Sequence, residues 1–208
     1  MILCDIGNSF YHFYKDGAVW REPVSSTPVV SESETIYTVS VNPSALFRLA
    51  SKNRVVDIAG FFKFDTQYVG LGIDRAVACF AANDGIIVDA GSAITVDIMQ
   101  EGMHLGGFIL PGIGALKESV RKISPALDVG LNMGVSLSML PQNTKDAISY
   151  GLLSSIVLSI KEAGKNKFIY FTGGDGKFLS KFFEDRCVVD DTLIFKGMMK
   201  IIQKEQQC

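Results

Sequence analysis

Hydrophobic residues follow the same order twice along this chain, as three short apolar segments and then alternating helical and strand patterns. The first run opens with Ile2–Ile6 and the second with Gly85–Ala90. Continuous apolar segments of this length, ended by turn residues, are typical of buried strands. Within each run, Asp16-Gly17 or Glu101-Gly102 separates two further strand-like segments, which predicts a hairpin in each. The pattern therefore predicts an α/β protein built by duplication.

The remaining elements follow from the same kinds of signal. Asn42 is predicted to cap a helix over Ala45–Ser51, because Asn accepts well from a helix start and Pro43 suits the first turn. Periodicity predicts further helices over Asp74–Ala82, Gly112–Ile123, Thr144–Ala163, Lys177–Phe183 and Leu193–Gln203, and further strands over Thr35–Val41, Arg54–Ile58, Lys167–Phe171 and Cys187–Val189. The boundary between the two halves is predicted near Asn83–Gly85, which gives domains of residues 1–84 and 85–208.

Composition narrows the possible functions. The net charge of −2 argues against nucleic acid as the main partner. No segment approaches the roughly 20 apolar residues of a membrane span, so we expect a cytoplasmic protein without a membrane partner. The four cysteines have no Cys-x-x-Cys spacing, and Cys4 and Cys79 lie in apolar segments. We expect reduced core thiols, with neither disulfides nor a zinc site.

The two opening strands end in related turns, which read ILCDIGNS at Ile2–Ser9 and IIVDAGSA at Ile86–Ala93. Glycine lets the backbone approach a bulky anion, and Ser or Asn side chains with free N–H groups form a donor cluster for phosphate. The aspartate can hold a cation or a water that bridges to the phosphate. One Asp-x-Gly is an ordinary turn, but two copies at the same place in a repeat favour a phosphate site, in which the turns face each other across a cleft.

Six motifs in the same order carry a family resemblance: Asp5–Ser9, Gly72–Arg75, Asp89–Asp97, Gly106–Gly112, Asn143-Thr144 and Thr172–Asp175. The chain resembles the actin-like ATPase superfamily of sugar kinases, heat-shock chaperones and actin, and more narrowly the type III pantothenate kinases. The resemblance implies duplicated actin-like (ribonuclease H-like) domains, each a mixed five-stranded sheet flanked by helices. Ser9 and Ser92 stand where the family usually has Thr, and Pro141-Gln142 where it usually has Gly-Lys.

The resemblance implies ATP-dependent phosphorylation of pantothenate to 4′-phosphopantothenate, the first step of coenzyme A biosynthesis. It implies that Asp74 accepts the proton of the pantothenate hydroxyl, while Arg75 and the Gly72–Ile73 backbone hold the substrate. From the residues alone, Asp74 could equally be a helix cap and Arg75 its solvated partner. Tyr68 is a candidate for the same pocket or an ordinary surface or core tyrosine.

The cofactor residues implied by the resemblance belong to the two turns. Asp5 would be an outer-sphere ligand of the Mg²⁺ that accompanies ATP, and Asp89 would be the ligand of a monovalent cation, K⁺ or NH₄⁺. Phosphate contacts would come from Gly7, Asn8, Ser9 and Ser92, and the strand through Ile6, Phe10, Tyr11 and His12 would line the site. His12 and His104 are otherwise expected to be structural.

The second half carries the remaining implied contacts. The resemblance assigns Thr144 to substrate, although it could be a simple N-cap, and it places the Thr172–Asp175 turn against adenosine. It also implies a homodimer, and the apolar helix Thr144–Ala163 is a plausible centre for one. The alternatives are another phosphotransferase of the superfamily or a non-catalytic regulator that binds ligand.

Overall fold

The computed structural model describes residues 1–30, 33–165, 167–183 and 186–207. Contacts within the chain divide it into two compact units. The first unit comprises Met1–Asn83, Met99–Gly106 and Asp191–Cys208, and the second comprises Asp84–Ile98 and Gly107–Asp190. The predicted domains 1–84 and 85–208 are halves of a sequence repeat, and that division stays a prediction.

The order of strands and helices agrees with the sequence prediction. The strands are β1 Ile2–Ile6, β2 Phe10–Lys15, β3 Ala18–Pro23, β4 Thr35–Ser40, β5 Arg54–Asp57, β6 Gly85–Ala90, β7 Ala93–Gln100, β8 Met103–Pro111, β9 Ile169–Thr172 and β10 Cys187–Val189. The helices are α1 Pro43–Ala50, α2 Ile73–Ala81, α3 Ile113–Ile123, α4 Thr144–Ala163, α5 Gly176–Leu179 and α6 Leu193–Glu205. The helix predicted over Lys177–Phe183 is instead split, because a 3₁₀ turn over Ser180–Phe182 follows α5.

The two sheets have the same topology, which confirms the predicted duplication of a mixed five-stranded sheet. The first sheet has the order β3-β2-β1-β4-β5, and the second, read from its opposite edge, has the order β8-β7-β6-β9-β10. In the first sheet β1 pairs antiparallel with β2 and parallel with β4. In the second, β6 and β10 both pair parallel with β9.

Both hairpins have the turn chemistry expected from the sequence. Asp16 and Gly17 have φ values of 49° and 89°, and Glu101 and Gly102 have 51° and 79°. Positive φ at both central residues characterises the type I′ turn, whose twist matches that of the flanking strands. The pairing of Lys15 with Ala18 confirms the two-residue connection of the first hairpin.

The alternation of side chains along β1 distributes its residues between two cores. One core combines its even-numbered apolar residues with α1, and it contains Ile2, Cys4, Ile6, Ala45 and Leu49. The other core contains Leu3 together with residues of β4, α2 and α6, namely Val39, Val77, Phe195 and Met198. Because successive strand residues point to opposite faces, Asp5 shares the face of Leu3, on the side of α2 and α6.

The second unit repeats this arrangement with β6 and α4. Residues on one face of β6 share a core with buried residues of α4, and that core contains Ile86, Val88, Ala90, Leu153, Ile156 and Ile160. Asp89 therefore lies on the opposite face, as Asp5 does in β1. The apolar residues of α4 are only partly used in this core, since Leu158 is 63% exposed.

The described cysteines are free thiols. The expectation that none of them binds a metal stays a prediction, because Cys79, Asp97 and His104 place possible ligand atoms within 4.8 Å of one another. Cys4 and Cys79 are buried free thiols, and Cys187 is a partly buried one. Cys208 lies outside the described residues. Among the residues that the structure describes, no helix is long and apolar enough to cross a bilayer.

The close approach of α6 to α2 generates a stability prediction. A Cβ atom on Gly197 would lie 2.0 Å from the carbonyl oxygen of Val77, whereas nothing lies within 4 Å of one on Gly151 in α4. We expect Gly197→Ala to destabilise the protein by about 1–3 kcal/mol because the helices must separate. The control Gly151→Ala should be stabilising by about 0.5–1 kcal/mol, since Ala is the better helix former. Urea unfolding measures both, and equal effects would contradict the close packing.

Candidate active site

The first turn of the repeat places Asp5 beside a histidine. Asp5 and His12 are directly opposite in the β1–β2 ladder, and Asp5 Oδ2 lies 3.4 Å from His12 Nδ1. Gly7 N–H donates to Phe10 C=O at 3.1 Å and closes the turn, which leaves the side chains of Asn8 and Ser9 exposed. The amide of Asn8 and the hydroxyl of Ser9 are exposed donors, as a phosphate-binding turn requires.

Two of the predicted lining residues have side chains in the core. Ile6 and Tyr11 are fully buried, and Tyr11 Oη donates to Ala45 C=O at 2.9 Å. Only the backbone of these residues is available to a ligand. Phe10 is half-buried, and the guanidinium of Arg21 lies 4.6 Å from its ring centroid.

Asp74 lies in the first turn of α2, where its carboxylate folds back over the helix start. Its Oδ1 accepts a hydrogen bond of 2.8 Å from Arg75 N–H. The N-cap is Gly72, which makes no side-chain cap bond, so the alternative that Asp74 caps the helix is wrong. A Cβ on Gly72 would lie 2.5 Å from Asp74 Oδ1, so the absence of a side chain at position 72 is what lets the carboxylate adopt this position.

The surroundings of Asp74 make it a stronger base than an ordinary aspartate. Burial raises the pKa of Asp74, and the negative charge of Asp5 raises it further, while the N–H of Arg75 acts in the opposite direction. Desolvation and a like charge both favour the neutral acid. A raised pKa makes the carboxylate a better general base than an ordinary aspartate. Because the charge of Asp5 contributes to this shift, the two carboxylates interact electrostatically.

Arg75 is buried and held by an aromatic side chain. Its guanidinium lies 4.9 Å from the ring centroid of Tyr68, and its Nη1 donates to Tyr68 Oη at 3.5 Å. Tyr68 N–H donates to Thr66 Oγ1 at 3.0 Å, and Thr66 Oγ1 lies 2.7 Å from Nδ1 of the buried His104. These bonds link His104 through Thr66 to the segment that carries Tyr68, and its purely structural role stays a prediction.

The second turn of the repeat, in the second unit, is enclosed by glycines. Gly112 N–H donates to Ser92 C=O at 3.1 Å, and a Cβ on Gly112 would lie 2.3 Å from the carbonyl oxygen of Gly91. Gly173 has φ +82°, and a Cβ there would lie 2.4 Å from Asp89 Oδ1. These contacts require glycine at both positions, because the carbonyl oxygens of Gly91 and Ser92 and the carboxylate of Asp89 occupy the space that a side chain would need.

Asp89 and Ser92 both have exposed side chains, as a ligand-binding role requires. The Thr172–Asp175 turn is joined to the same strand end, since Asp175 N–H donates to Ala90 C=O at 2.9 Å. Burial raises the pKa of Asp175.

Thr144 is the first residue of α4, and the N-cap is its neighbour Asn143. Asn143 Oδ1 accepts from Asp146 N–H at 2.9 Å, so the alternative that Thr144 is the cap is wrong. Thr144 is exposed at the start of a helix of 20 residues, where free N–H groups and the helix dipole favour an anion.

The predicted residues are divided between the two units. The first unit holds Asp5, His12, Tyr68, Asp74 and Arg75, and the second unit holds the Asp89–Ser92 turn, the Thr172–Asp175 turn and Thr144. The expectation that the two turns face each other stays a prediction. Sequence reasoning missed Thr66 as the support of Tyr68, because its partner His104 is 38 residues away and no local motif links them.

Comparison with known proteins gives a consistent family. The family model for type III pantothenate kinase matches residues 34–166. The chain is 48% identical over 208 residues to the type III pantothenate kinase of Wolinella succinogenes, covering 100% of this chain and 99% of that protein. It is 50% identical over 206 residues to the type III pantothenate kinase of Helicobacter hepaticus, covering 99% of this chain and 100% of that protein.

Solved structures are similar over the same length. A conserved protein from Campylobacter jejuni, ascribed to the Baf family of transcriptional activators, superposes with a TM-score of 0.89 at 43% identity and covers 100% of both chains. The ethanolamine utilization protein EutJ from Carboxydothermus hydrogenoformans superposes with a TM-score of 0.53 at 15% identity, covering 94% of this chain and 87% of that chain. The second likeness shows the fold alone.

The coupling between the two aspartates of the first unit generates a prediction. We expect Asp5→Asn to lower the pKa of Asp74, because the substitution removes a negative charge that raises it. Carbon-detected NMR titration of the side-chain carboxyl groups measures the change. Asp146 is the internal control, since the amides of Asn132 and Asn143 determine its lowered pKa. An unchanged Asp74 pKa in Asp5→Asn would show that the two carboxylates do not interact.

Proposed function

Because this chain belongs to the type III pantothenate kinase family, we propose that Asp74 is the base that accepts the proton of the pantothenate hydroxyl. The enzyme is a phosphotransferase that uses ATP to phosphorylate pantothenate in coenzyme A biosynthesis. The observation that supports this role most strongly is the environment of Asp74, a half-buried carboxylate with a raised pKa beside Asp5 and Arg75.

Phosphoryl transfer asks a protein for positioning and charge neutralisation more than for covalent chemistry. The pantothenate oxygen forms a bond to the γ-phosphorus, the bond from that phosphorus to the ADP oxygen breaks, and the hydroxyl proton passes to Asp74. A carboxylate within hydrogen-bond reach can take this proton late in the step. The bond from Arg75 N–H to Asp74 Oδ1 holds the carboxylate in one orientation for that transfer.

Arg75 supplies a fixed positive charge next to the base. Its planar guanidinium suits an anionic oxygen pair, either the pantothenate carboxylate or the transferred phosphoryl group. The ring of Tyr68 restrains the guanidinium from one side. We assign Arg75, Gly72, Ile73 and Tyr68 to substrate binding, together with the exposed Thr144 of the second unit.

The two turns offer groups that suit the phosphates of ATP and the Mg²⁺ that accompanies it. The turn after β1 offers the Asp5 carboxylate, and Mg²⁺ prefers oxygen ligands of this kind. We assign Gly7, Asn8 and Ser9 to phosphate contact, since the side chains of Asn8 and Ser9 are exposed and Gly7 permits close approach of the backbone. In the turn after β6, the exposed hydroxyl of Ser92 is a donor that suits the phosphates. A bound Mg²⁺ would neutralise phosphate charge during transfer.

Asp89 is proposed as the ligand of a monovalent cation, K⁺ or NH₄⁺. Its carboxylate is exposed at the end of β6, next to the Ser92 turn. A carboxylate at this place cannot bind phosphate directly because both groups are anionic. A cation bound by Asp89 would supply positive charge that offsets this repulsion.

A homodimer is the remaining part of the proposal. Leu158 of α4 is 63% exposed, and Met139 and Leu140 of the loop that precedes α4 are 71% and 76% exposed. Large exposed apolar side chains on one long helix and its entry loop are typical of a protein–protein contact.

The rival function is a regulator that binds ligand without catalysis, and the family name attached to the Campylobacter jejuni structure is the observation in its favour. A regulator would have no use for a half-buried carboxylate with a raised pKa beside a restrained arginine. Retention of Asp5, Asp74, Arg75 and Asp89 therefore favours phosphoryl transfer over regulation.

Substitution of the proposed base gives the decisive test. We expect Asp74→Asn to lower kcat by about 10²–10⁴-fold, the usual contribution of a general base. Binding of pantothenate and ATP, measured by calorimetry, should be retained. Asp74→Asn should also be more stable than the unsubstituted protein at neutral pH. Because the pKa of Asp74 is raised in the folded state, the unsubstituted protein loses stability as pH rises from the unfolded-state pKa through the folded-state pKa, and an asparagine has no such loss.

The control is Glu118→Ala, which removes an exposed ion pair with Arg121 in α3 and should leave kcat unchanged. Turnover of Asp74→Asn at the rate of the unsubstituted enzyme would remove Asp74 from the mechanism. If the unsubstituted protein and Glu118→Ala both fail to phosphorylate pantothenate with K⁺, NH₄⁺ or Na⁺ present, the result favours the regulator.

The proposed cation site predicts a change in salt response. We expect Asp89→Asn to raise the K⁺ concentration needed for half-maximal rate by about 10-fold or more, because the charged ligand is lost. Initial rates measured against KCl at constant ionic strength give this value. An unchanged K⁺ dependence in Asp89→Asn would place the cation elsewhere.

A further inference from the structure

Asp146, in the first turn of α4, is held by two asparagine side chains at once. Its Oδ1 accepts from Asn132 Nδ2 at 2.7 Å, and its Oδ2 accepts from Asn143 Nδ2 at 2.7 Å. Asn143 in turn accepts from Asp146 N–H. Charge-assisted hydrogen bonds of this length are among the stronger ones in proteins. We call Asn132, Asn143 and Asp146 the Asp146 clamp.

Asn132 connects the clamp to the loop that precedes α4. Its Oδ1 accepts from Gly134 N–H at 3.0 Å, and its backbone N–H donates to Ser149 Oγ at 2.8 Å. Ser149 is fully buried in α4 and donates to Lys145 C=O at 2.8 Å. Asn132 therefore bonds to two successive turns of the helix and orders its own loop at the same time.

The loop over residues 128–143 contains neither helix nor strand. Loops of this length inside compact domains usually have a functional reason. Val135 is buried, and Leu131 and Leu137 pack against the core of the second unit. Between these anchors and the helix, the clamp is what fixes the direction in which residues 138–143 enter α4.

We propose that Asp146 is a positioning residue for pantothenate binding, which it serves by fixing Thr144 through Asn143 and Asn132. This inference depends on the proposed assignment of Thr144 to substrate. Asn143 and Asp146 flank Thr144 in the first turn of α4, so their mutual bonds fix the backbone on both sides of it. A binding group displaced by about 1 Å can cost 10²-fold in rate or affinity.

The bond to Asn132 distinguishes this role from ordinary helix capping. Capping needs only the exchange between Asn143 and Asp146, which is complete within four residues. Asn132 adds a contact across 14 residues and ties the loop to the same carboxylate. The two amide donors also lower the pKa of Asp146, so the carboxylate keeps both bonds through the neutral range.

The test compares single substitutions with a donor–acceptor exchange. We expect Asp146→Ala to raise KM for pantothenate by about 10-fold while KM for ATP and kcat stay within about 2-fold, because a uniform binding contact is displaced. In the double variant Asn132→Asp/Asp146→Asn, the carboxylate moves to position 132 and the amide to position 146. Every bond of the clamp can then re-form, so KM for pantothenate should return to within about 3-fold of the starting value.

Thr144→Ala and Glu118→Ala complete the set. Thr144→Ala should raise KM for pantothenate like Asp146→Ala, and Glu118→Ala, an exposed acid in α3, should leave it unchanged. If Thr144→Ala raises KM but Asp146→Ala only lowers the melting temperature, the positioning role is wrong and the proposed function stands. A double variant that stays as impaired as Asp146→Ala overturns it as well. If Thr144→Ala has no effect on KM, the assignment of Thr144 fails and this inference fails with it.

Discussion

The packing of α2 against α6 on one face of the first sheet is the contact on which the chemistry of the first unit depends. Val77 of α2 shares a core with Leu3 of β1 and Phe195 of α6, and a glycine at position 197 lets the two helices touch. Burying each such side chain stabilises the fold by roughly 1.5–3 kcal/mol. That gain offsets the repulsion between Asp5 and Asp74, which the same packing brings near each other.

Asp74 and Asp146 each lie in the first turn of a helix, but their surroundings shift their pKa values in opposite directions. Asp74 is desolvated and lies near another carboxylate, and its pKa is raised. Asp146 is held by two amide donors, and its pKa is lowered. The raised pKa of Asp74 makes it the stronger base, whereas the lowered pKa of Asp146 keeps that carboxylate ionised, so the first suits a proton acceptor and the second suits a fixed anchor.

The duplicated turns share one closing bond and differ in length and packing. The first has three residues between its strands and is closed by the bond from Gly7 to Phe10. The second has two residues, is closed by the bond from Gly91 to Ala93, and packs against Gly112 too closely for a side chain at that position. Each turn follows a strand that is buried on both faces. The strand therefore fixes the direction of its terminal aspartate, and the turn is left to provide donors.

The sequence by itself determined the order of strands and helices, both type I′ hairpins and the two Asp-x-Gly turns, because periodicity, turn residues and helix caps are local signals. It also identified most candidate residues, from Asp5 to Thr144, because their motifs are contiguous. It did not determine that Gly72 and Asn143 are the caps beside Asp74 and Thr144. Only the tertiary structure decided the contacts of Val77 with Gly197, of Thr66 with His104 and of Asn132 with Asp146. Each of these joins residues far apart in the chain, and such pairings depend on how whole elements pack, which no local pattern records.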